Sequence, residues 1–294
     1  MTRAIGKLVV VGVGLIGGSC AAALRRAGAV GEIVGLGRSS ESIARALALG
    51  VIDRAATDWA DALAGADLVL LSMPVGQTRA ALDSAAPHLE AHTLVTDAGS
   101  TKGDVVAAAR AALGRRIGRF VPAHPIAGAE KSGVDAASAD LFRGKRVVVT
   151  PLAENAPESV ARVRAFWESC GARVTEMDPQ EHDRVFAAVS HLPHVLAFCL
   201  VDALARRENA EMLFGFAASG FRDFTRIAAS HPEMWRDICL ANREALLAEI
   251  ARYGSELDRL RELLAAGDGA ALESLFRHAR EARNAWAVAR PAEP

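Results

Sequence analysis

The chain has 294 residues, of which 51% are hydrophobic and 23% charged, and its 34 Lys and Arg nearly balance its 35 Asp and Glu. This composition provides enough apolar side chains for a folded core and excludes intrinsic disorder as the main state. The net charge of −1 argues against a general binder of nucleic acids or acidic membranes, because both need a surplus of positive charge. Since a domain usually takes roughly 100–200 residues, two domains are expected.

The cysteines are widely spaced and form no C-x-x-C pair: Cys20, Cys170, Cys199 and Cys239. This spacing indicates buried thiols rather than a disulfide framework or a zinc site. No apolar run approaches the ~18–20 residues needed to cross a bilayer, and the N-terminal apolar run is too short for a secretory signal. We therefore expect a cytoplasmic protein with reduced thiols and no membrane partner.

The first half of the chain alternates short apolar runs with amphipathic segments. The runs are bounded by Gly, Pro, Asp or Thr, as is typical of strands buried on both faces. They cover residues 8–11, 33–36, 68–72, 94–96, 120–123 and 147–150. The segments between them have helical character, for example residues 19–27, 41–49 and 102–113. The alternation predicts a parallel sheet covered by helices.

A helix over residues 157–170 and a last strand over 172–177 continue this pattern, and the character of the chain changes after Asp178. From Pro179 onward the sequence contains only long segments with helical periodicity. We therefore predict an α/β, Rossmann-type N-terminal domain over residues 1–178, followed by an all-α C-terminal domain over residues 179–294.

A glycine-rich loop, Gly-Val-Gly-Leu-Ile-Gly, lies between the first predicted strand and a helix. Gly12 permits a tight turn, Gly14 lets the backbone approach a pyrophosphate, and Gly17 lets the helix pack closely on the strand. The helix N-terminus at Leu15 and Ile16 presents free N–H groups and a positive dipole end to phosphates. The loop predicts a dinucleotide site, and a merely structural turn is the alternative.

The end of the second predicted strand bears on which nucleotide binds. An NAD site usually carries Asp or Glu ~20 residues beyond the glycines to accept from the ribose 2′-OH. Here Gly37 takes that place, and Arg38, Ser39 and Ser40 follow it. A guanidinium and two hydroxyls suit a 2′-phosphate. We expect NADP to be preferred, while the alternative is that Arg38 is a solvated surface residue and either NADP or NAD binds.

Polar residues collect at the ends of the later predicted strands, where ligands of open α/β sheets bind. They include Ser72 and Pro74 after one strand, Ser100 within the segment Asp-Ala-Gly-Ser-Thr-Lys after the next, and His124 after a third. A histidine directly after a strand, held by a following proline, is well placed to act as a base near neutral pH. The alternative is a histidine that only caps the strand by bonding to backbone.

Motifs in matching order resemble the prephenate/arogenate dehydrogenase family, also called cyclohexadienyl dehydrogenases. They are residues 97–102 (Asp-Ala-Gly-Ser-Thr-Lys), 124–133 (His-Pro-Ile-Ala-Gly-Ala-Glu-Lys-Ser-Gly), 190–194 (Ser-His-Leu-Pro-His) and 220–228 (Gly-Phe-Arg-Asp-Phe-Thr-Arg-Ile-Ala), with Trp235 beyond them. The resemblance runs from the glycine loop to about Asn242. It implies an enzyme of tyrosine biosynthesis that moves a hydride from a cyclohexadienol, arogenate or prephenate, to a nicotinamide while CO2 leaves and the ring becomes aromatic.

The resemblance also implies catalytic roles. His124 matches the family's catalytic base, which takes the ring hydroxyl proton as a neutral imidazole. Ser100 matches a serine that hydrogen-bonds both that hydroxyl and the histidine. General-base assistance of this kind is typically worth ~10²–10⁴-fold in rate.

The implied substrate carries two carboxylates, which need cationic or multiple-donor partners. Arg226 matches the family's carboxylate-binding arginine, whose fork suits a bidentate grip. Ser190 and His194 match active-site residues and, being four apart, share one face of a helix. A wholly structural role is the alternative for His194. Glu130 matches a glutamate near the pocket entrance.

The helices after Asp178 are rich in Ala and Leu, and several are apolar on more than a narrow stripe. Helices of that kind usually bury a second face. Internal core is one explanation. The resemblance implies another, a homodimer whose helices interleave and complete each other's substrate pocket.

Rival functions remain open at this point. A β-hydroxyacid dehydrogenase or an imine reductase shares the glycine loop and the all-helical second domain, but usually places its catalytic group on a helix of that domain. A non-catalytic NADPH sensor would not need Ser100, His124, His194 and Arg226 together. His191 and His194 stand three apart, but no nearby Cys or Glu completes a ligand set, so we expect no metal site.

Overall fold

The computed structural model describes residues 5–129 and 131–289. In these residues a six-stranded parallel sheet has the strand order β3-β2-β1-β4-β5-β6. Its strands are β1 (Ile5–Val11), β2 (Val30–Leu36), β3 (Arg54–Ala55), β4 (Leu68–Leu71), β5 (Leu94–Asp97) and β6 (Phe120–Val121). The order reverses between β1 and β4, and in sheets of this type ligands bind beyond the carboxyl ends of the strands at that reversal.

Helices cover both faces of this sheet. They are α1 (Leu15–Arg26), α2 (Ser40–Ala48), α3 (Trp59–Leu63), α4 (Thr78–Ala85), α5 (Gly103–Leu113) and α6 (Pro157–Ser169). Because successive strand residues point to opposite faces, Leu8 and Val10 pack with Leu24 of α1 and Trp167 of α6. Val9 packs on the other face with residues of α3, α4 and α5. The predicted α/β class of the N-terminal part is confirmed.

A separate three-stranded sheet lies within the described residues: β7 (Ala123–Pro125), β8 (Arg146–Val149) and β9 (Arg173–Glu176). β7 pairs antiparallel with β8, whereas β9 pairs parallel with β8. The sequence pattern predicts one continuous strand over residues 120–123 in a single parallel sheet. The strand is divided at Pro122, which lacks an N–H and cannot continue a ladder as donor. The division brings His124 into β7, opposite Val148.

Beyond β9, the described residues up to 289 form helices and no strand. The helices are α7 (Pro179–Phe186), α8 (Leu192–Ala205), α9 (Ala210–Gly215), α10 (Ser219–Thr225), α11 (Pro232–Ala241), α12 (Arg243–Ala266) and α13 (Gly269–Ala289). α7 begins where Asp178 caps it by accepting from the N–H groups of Gln180 and Glu181 at 2.9 and 3.1 Å. The predicted all-α character of the C-terminal part is confirmed.

The described residues divide into two compact units, one up to Arg243 and one from Glu244 onward. In the first unit a π-helical turn, Ala187–His191, joins α7 to α8. By length and composition the continuous helix Pro179–Ala205 is apolar enough to cross a membrane, since an 18-residue window within it has a mean hydropathy of 1.6. A helix that packs against protein on several sides has the same composition. Trp235 and Ile238 of α11 join the core on the α4 and α5 face of the larger sheet.

Candidate active site

The glycine loop packs closely against Ser72 and Met73, which follow β4. Gly12 has a φ of 89°, which favours glycine, and a Cβ there would lie 3.0 Å from the Met73 nitrogen. A Cβ on Gly17 would lie 2.6 Å from the Gly12 oxygen. The Ser72 hydroxyl donates to that same oxygen at 2.8 Å. The loop therefore holds the start of α1 against the end of β1.

The outer side of the loop is open. A Cβ on Gly14 would meet nothing within 4 Å, and no side chain caps the N-terminus of α1. Leu15 and Ile16, the first residues of α1, are half-buried. Space, uncapped N–H groups and a positive helix end fit a dinucleotide pyrophosphate.

The ribose end of the predicted cofactor site lies after β2. Gly37 follows the strand, and Arg38 is exposed with no ion pair to any described residue. The Ser39 hydroxyl caps α2 by accepting from Ser42 N–H at 3.1 Å, while Ser40 is exposed at the first position of that helix. Ser39 keeps its hydroxyl hydrogen for another acceptor. Pro74 follows β4 and leads into a 3₁₀ turn, Val75–Gln77.

A buried ion pair joins the end of β5 to β7. Lys102 is fully buried, forms a salt bridge with Asp97, and donates to the Ala123 carbonyl at 2.7 Å. The other oxygen of Asp97 accepts from the Ala123 N–H at 3.0 Å. These contacts fix the backbone directly before His124. Asp97 and Lys102 begin and end the motif of residues 97–102, and their pairing is not predicted by the sequence pattern.

His124 heads a row of buried polar side chains. Its Nδ1 lies 2.8 Å from Nε2 of His182, and His182 Nδ1 lies 2.8 Å from Oδ1 of Asp183. Asp183 also accepts from the backbone N–H groups of Lys102 and Gly103 at 2.8 and 2.7 Å. Sequence reasoning missed His182 and Asp183. They lie in the first turns of α7, and no local motif pointed to a partner 58 residues away.

The pKa values in this row favour neutral imidazoles beside a charged carboxylate. Burial lowers the pKa of His124 well below its usual value, and the charges of His182, Lys102 and His191 lower it further. Burial lowers the pKa of His182 as well, against the opposing effect of Asp183. Burial raises the pKa of Asp183, but the bonds from His182 and the two backbone N–H groups outweigh this and hold it below its usual value.

A second group of polar residues lies on α8 and α11. His194 stacks on Trp235 with ring centroids 3.8 Å apart, and its Nδ1 lies 2.9 Å from the Ser190 carbonyl. Burial lowers the pKa of His194, the Ser190 carbonyl opposes this, and the charge of Arg226 lowers it further. Arg226 is exposed at the start of the 3₁₀ turn Arg226–Ala229. Of the predicted set, His194 contacts the backbone of Ser190, and the charge of Arg226 acts on His194.

His191 belongs to the interior. It is buried, its Nδ1 lies 3.1 Å from the Asn242 amide, and burial lowers its pKa to about 4. Ser100 lies in the loop before α5, and its backbone faces His191. Its hydroxyl forms no hydrogen bond with His124 in the described structure, so the predicted Ser100–His124 contact is not formed here. Glu130 lies outside the described residues.

Among the described residues no group of three or more His, Cys, Asp or Glu side chains is arranged to hold a metal ion. The chemical resources of the site are an imidazole at the carboxyl edge of the sheet, a loop fitted to phosphates, and a cationic side chain beside a half-buried histidine. Such a set can accept a proton and bind anions. Hydride transfer would use the nicotinamide of a bound dinucleotide.

Two family models match the chain. The model "Prephenate dehydrogenase, nucleotide-binding domain" matches residues 20–176, and the model "Prephenate dehydrogenase, dimerization domain" matches residues 178–278. Together they cover more than half of the chain.

Individual proteins are similar over nearly the whole chain. The prephenate dehydrogenase of Bacillus subtilis (strain 168) is 38% identical over 94% of this chain and 74% of its own length. The cyclohexadienyl dehydrogenase of Zymomonas mobilis is 37% identical over 94% of both chains. The crystal structure of prephenate dehydrogenase from A. aeolicus with hydroxyphenyl propionate and NAD+ has a TM-score of 0.90, with 39% identity, and covers 96% of this chain and 99% of that one. The chain therefore belongs to the prephenate dehydrogenase family of NAD(P)-dependent oxidoreductases.

Proposed function

We propose that this protein oxidatively decarboxylates prephenate, arogenate or both, with NADP as the preferred hydride acceptor and His124 as the base. The observation that carries this proposal is the placement of His124. It is a buried imidazole with a lowered pKa, held at the carboxyl edge of the sheet by the Asp97–Lys102 pair. An imidazole that is neutral at pH 7 is the form that can take a proton.

His124 would take the proton of the ring hydroxyl as hydride leaves the same carbon. A nicotinamide held at the glycine loop would supply the hydride acceptor, and the hydroxyl would become a carbonyl. As CO2 leaves, the electron pair of the broken C–C bond would move into the ring, so that the ring becomes aromatic and the carbonyl oxygen takes a proton to become a phenol. Ser100 would position the hydroxyl between itself and the imidazole. A base of this kind contributes ~10²–10⁴-fold to the rate, and alignment with the acceptor supplies much of the remainder.

The group on α8, α11 and the 3₁₀ turn would bind the substrate. The guanidinium of Arg226 is suited to a carboxylate, which it can hold through two parallel hydrogen bonds. The charge of Arg226 lowers the pKa of His194, which supports a role for both residues toward one anionic ligand. The stack of His194 on Trp235 keeps that imidazole oriented, and Ser190 and Glu130 would complete this end of the pocket.

The cofactor preference rests on the end of β2. With glycine at position 37, no carboxylate is present there to accept from a ribose 2′-OH or to repel a 2′-phosphate. Exposed Arg38 and the hydroxyls of Ser39 and Ser40 offer a charge and donors to that phosphate. The A. aeolicus relative is described with NAD+, so the preference for NADP is a property we assign to this chain from its own residues.

We further propose that the protein acts as a homodimer. Apolar side chains on the helical part remain open in the single chain, among them Phe216, which is 86% exposed, and Val189, which is 67% exposed. The match of residues 178–278 to a dimerization domain supports the same assembly.

The test is a two-by-two assay of purified protein, with prephenate and arogenate each offered NADP and NAD. We expect turnover of at least one substrate and a higher kcat/KM with NADP. A simple β-hydroxyacid offered with either cofactor is the control and should not react. Absence of turnover with both cyclohexadienols would refute the activity, and a higher kcat/KM with NAD would refute the cofactor preference alone.

A further inference from the structure

Proton transfer to His124 leaves the roles of His182 and Asp183 unassigned. Both are buried, and they continue from His124 away from its Nε2 edge. Phe186 packs against both imidazoles, with ring centroids 4.9 Å from His124 and 4.4 Å from His182. The rings are therefore held in fixed orientation, so the direction of each hydrogen bond in the row is determined by what its neighbours can donate.

Asp183 sets the direction. Its carboxylate accepts from the N–H groups of Lys102 and Gly103, where α5 begins. A helix N-terminus stabilises a negative charge, and an ionised carboxylate has acceptors only. The Nδ1 of His182, 2.8 Å from Asp183 Oδ1, must therefore carry a hydrogen and donate it.

The position of the hydrogen on His182 in turn determines which nitrogen of His124 is protonated. A neutral His182 with its hydrogen on Nδ1 has a lone pair on Nε2. That nitrogen lies 2.8 Å from Nδ1 of His124, so His124 Nδ1 must donate. The other tautomer of His124 would face two lone pairs at that distance. Neutral His124 is left with its hydrogen on Nδ1 and its lone pair on Nε2.

We propose that His182, oriented by Asp183, is a positioning residue that fixes the tautomer of His124 and so makes Nε2 the nitrogen that accepts the substrate proton. The part of this proposal that concerns turnover rests on the proposed function of His124 as base. The tautomer itself is a property of the free protein. In the serine protease triad, loss of the carboxylate that holds the histidine tautomer lowers kcat about 10⁴-fold.

Two variants separate the hydrogen bonds from the mere volume of the ring. In His182→Gln the amide oxygen can accept from His124 Nδ1 while the amide N–H donates to Asp183, so the tautomer is kept. In His182→Leu neither bond can form. The matched control is His92→Gln, because His92 is an exposed histidine outside the site.

We expect His182→Leu to lower kcat by about 10²-fold or more with little change in the substrate KM, because an incorrect tautomer removes the base without removing a substrate contact. His182→Gln should stay within about tenfold of wild type, the effect of one weakened hydrogen bond. His92→Gln should match wild type. Equal activity of the Leu and Gln variants would overturn the proposal. If the Leu variant fails to fold, the Gln variant alone decides. A loss of kcat in His182→Gln as large as that in His124→Asn would then overturn the proposal.

The second measurement needs no substrate. In the free wild-type enzyme labelled with ¹⁵N-histidine, NMR should show His124 Nδ1 as the protonated nitrogen and Nε2 as the unprotonated one, assigned by loss of the signal in His124→Asn. A proton on Nε2 would overturn the tautomer assignment. If the enzyme turns over neither cyclohexadienol, the NMR result still decides the tautomer, so failure of the proposed function and failure of this inference are distinguishable.

Discussion

The sheet region, residues 5–176, and the helical region, residues 179–241, differ in how far their side chains are buried within the single chain. In the sheet region β4 is buried along its whole length, and Trp167 of α6 is fully enclosed. In the helical region the described helices α9 and α10 contain no buried residue. Because helices of six or seven residues gain most of their stability from tertiary packing, α9 and α10 are the helices to which the proposed dimer would supply a further packing surface.

The proposed chemistry divides instead between buried and exposed positions, because His182 and Asp183, which hold the base, belong to α7 of the helical region but are buried. The base and the groups that hold it lie in buried positions, where lowered pKa values and fixed hydrogen bonds prepare an imidazole for proton transfer. The proposed carboxylate grip, Arg226, lies on the open helical side. Variants of the buried base and of the exposed carboxylate grip should therefore change different kinetic constants.

The largest expected effect lies in the sheet region. Replacing His124 with Asn should lower kcat by about 10²-fold or more, the usual contribution of a general base, with a modest change in KM. Steady-state kinetics with saturating cofactor measures this. His88→Gln, which changes an exposed histidine, is the control, and turnover near wild type in the His124 variant would refute the base assignment.

The next effect lies in the helical region. Arg226→Ala should raise the substrate KM by about tenfold or more, because hydrogen bonds to charged groups contribute roughly 1.5–3 kcal/mol, while kcat changes less. Initial-rate measurements over a range of substrate concentrations give both constants. Arg162→Ala, on the exposed side of α6, should leave them unchanged. A collapse of kcat at constant KM would contradict the assignment of Arg226 to substrate binding.

A change on the open helical surface should affect assembly. Replacing the exposed Phe216 with Ser should weaken the proposed dimer by about tenfold or more in Kd, because burying a phenylalanine side chain contributes about 1.5–3 kcal/mol. Sedimentation equilibrium of the wild type and the variant gives both constants. A wild-type protein that is monomeric at every concentration measured would contradict the proposal that a second copy of the chain covers the exposed helical surface.

The smallest expected effect concerns cofactor choice. Gly37→Asp combined with Arg38→Ser should move the NADP/NAD ratio of kcat/KM several-fold toward NAD, because it restores an acceptor for the 2′-OH and removes a positive charge. A Cβ on Gly37 would lie 3.3 Å from Ile43 Cδ1, so a small adjustment of that side chain accommodates it. An unchanged ratio would exclude a role for this strand end in cofactor choice.

Sequence patterns predicted the parts of the molecule that depend on neighbours along the chain. The Gly12–Gly17 loop and the strands beside it are such features. The antiparallel pairing of β7 was missed because one proline divided an apolar run that read as continuous. The row from His124 to Asp183 was missed because it joins a strand to a helix 58 residues away, and adjacency of that kind exists only after folding. β3 was missed because a strand of two residues is too short to show an alternation of apolar and polar side chains.

The close packing around Gly17 restricts the substitutions that this chain can accept at that position. The space that a side chain would need there is filled by the Gly12 oxygen, and the Ser72 hydroxyl is bonded to that same oxygen. Overpacking of this kind costs about 1–3 kcal/mol, and its relief would require moving the loop, the helix and the serine together. Replacing Gly17 with any larger residue therefore disturbs the loop, unless several other positions change with it. At Gly14, three residues earlier, a Cβ would meet nothing within 4 Å.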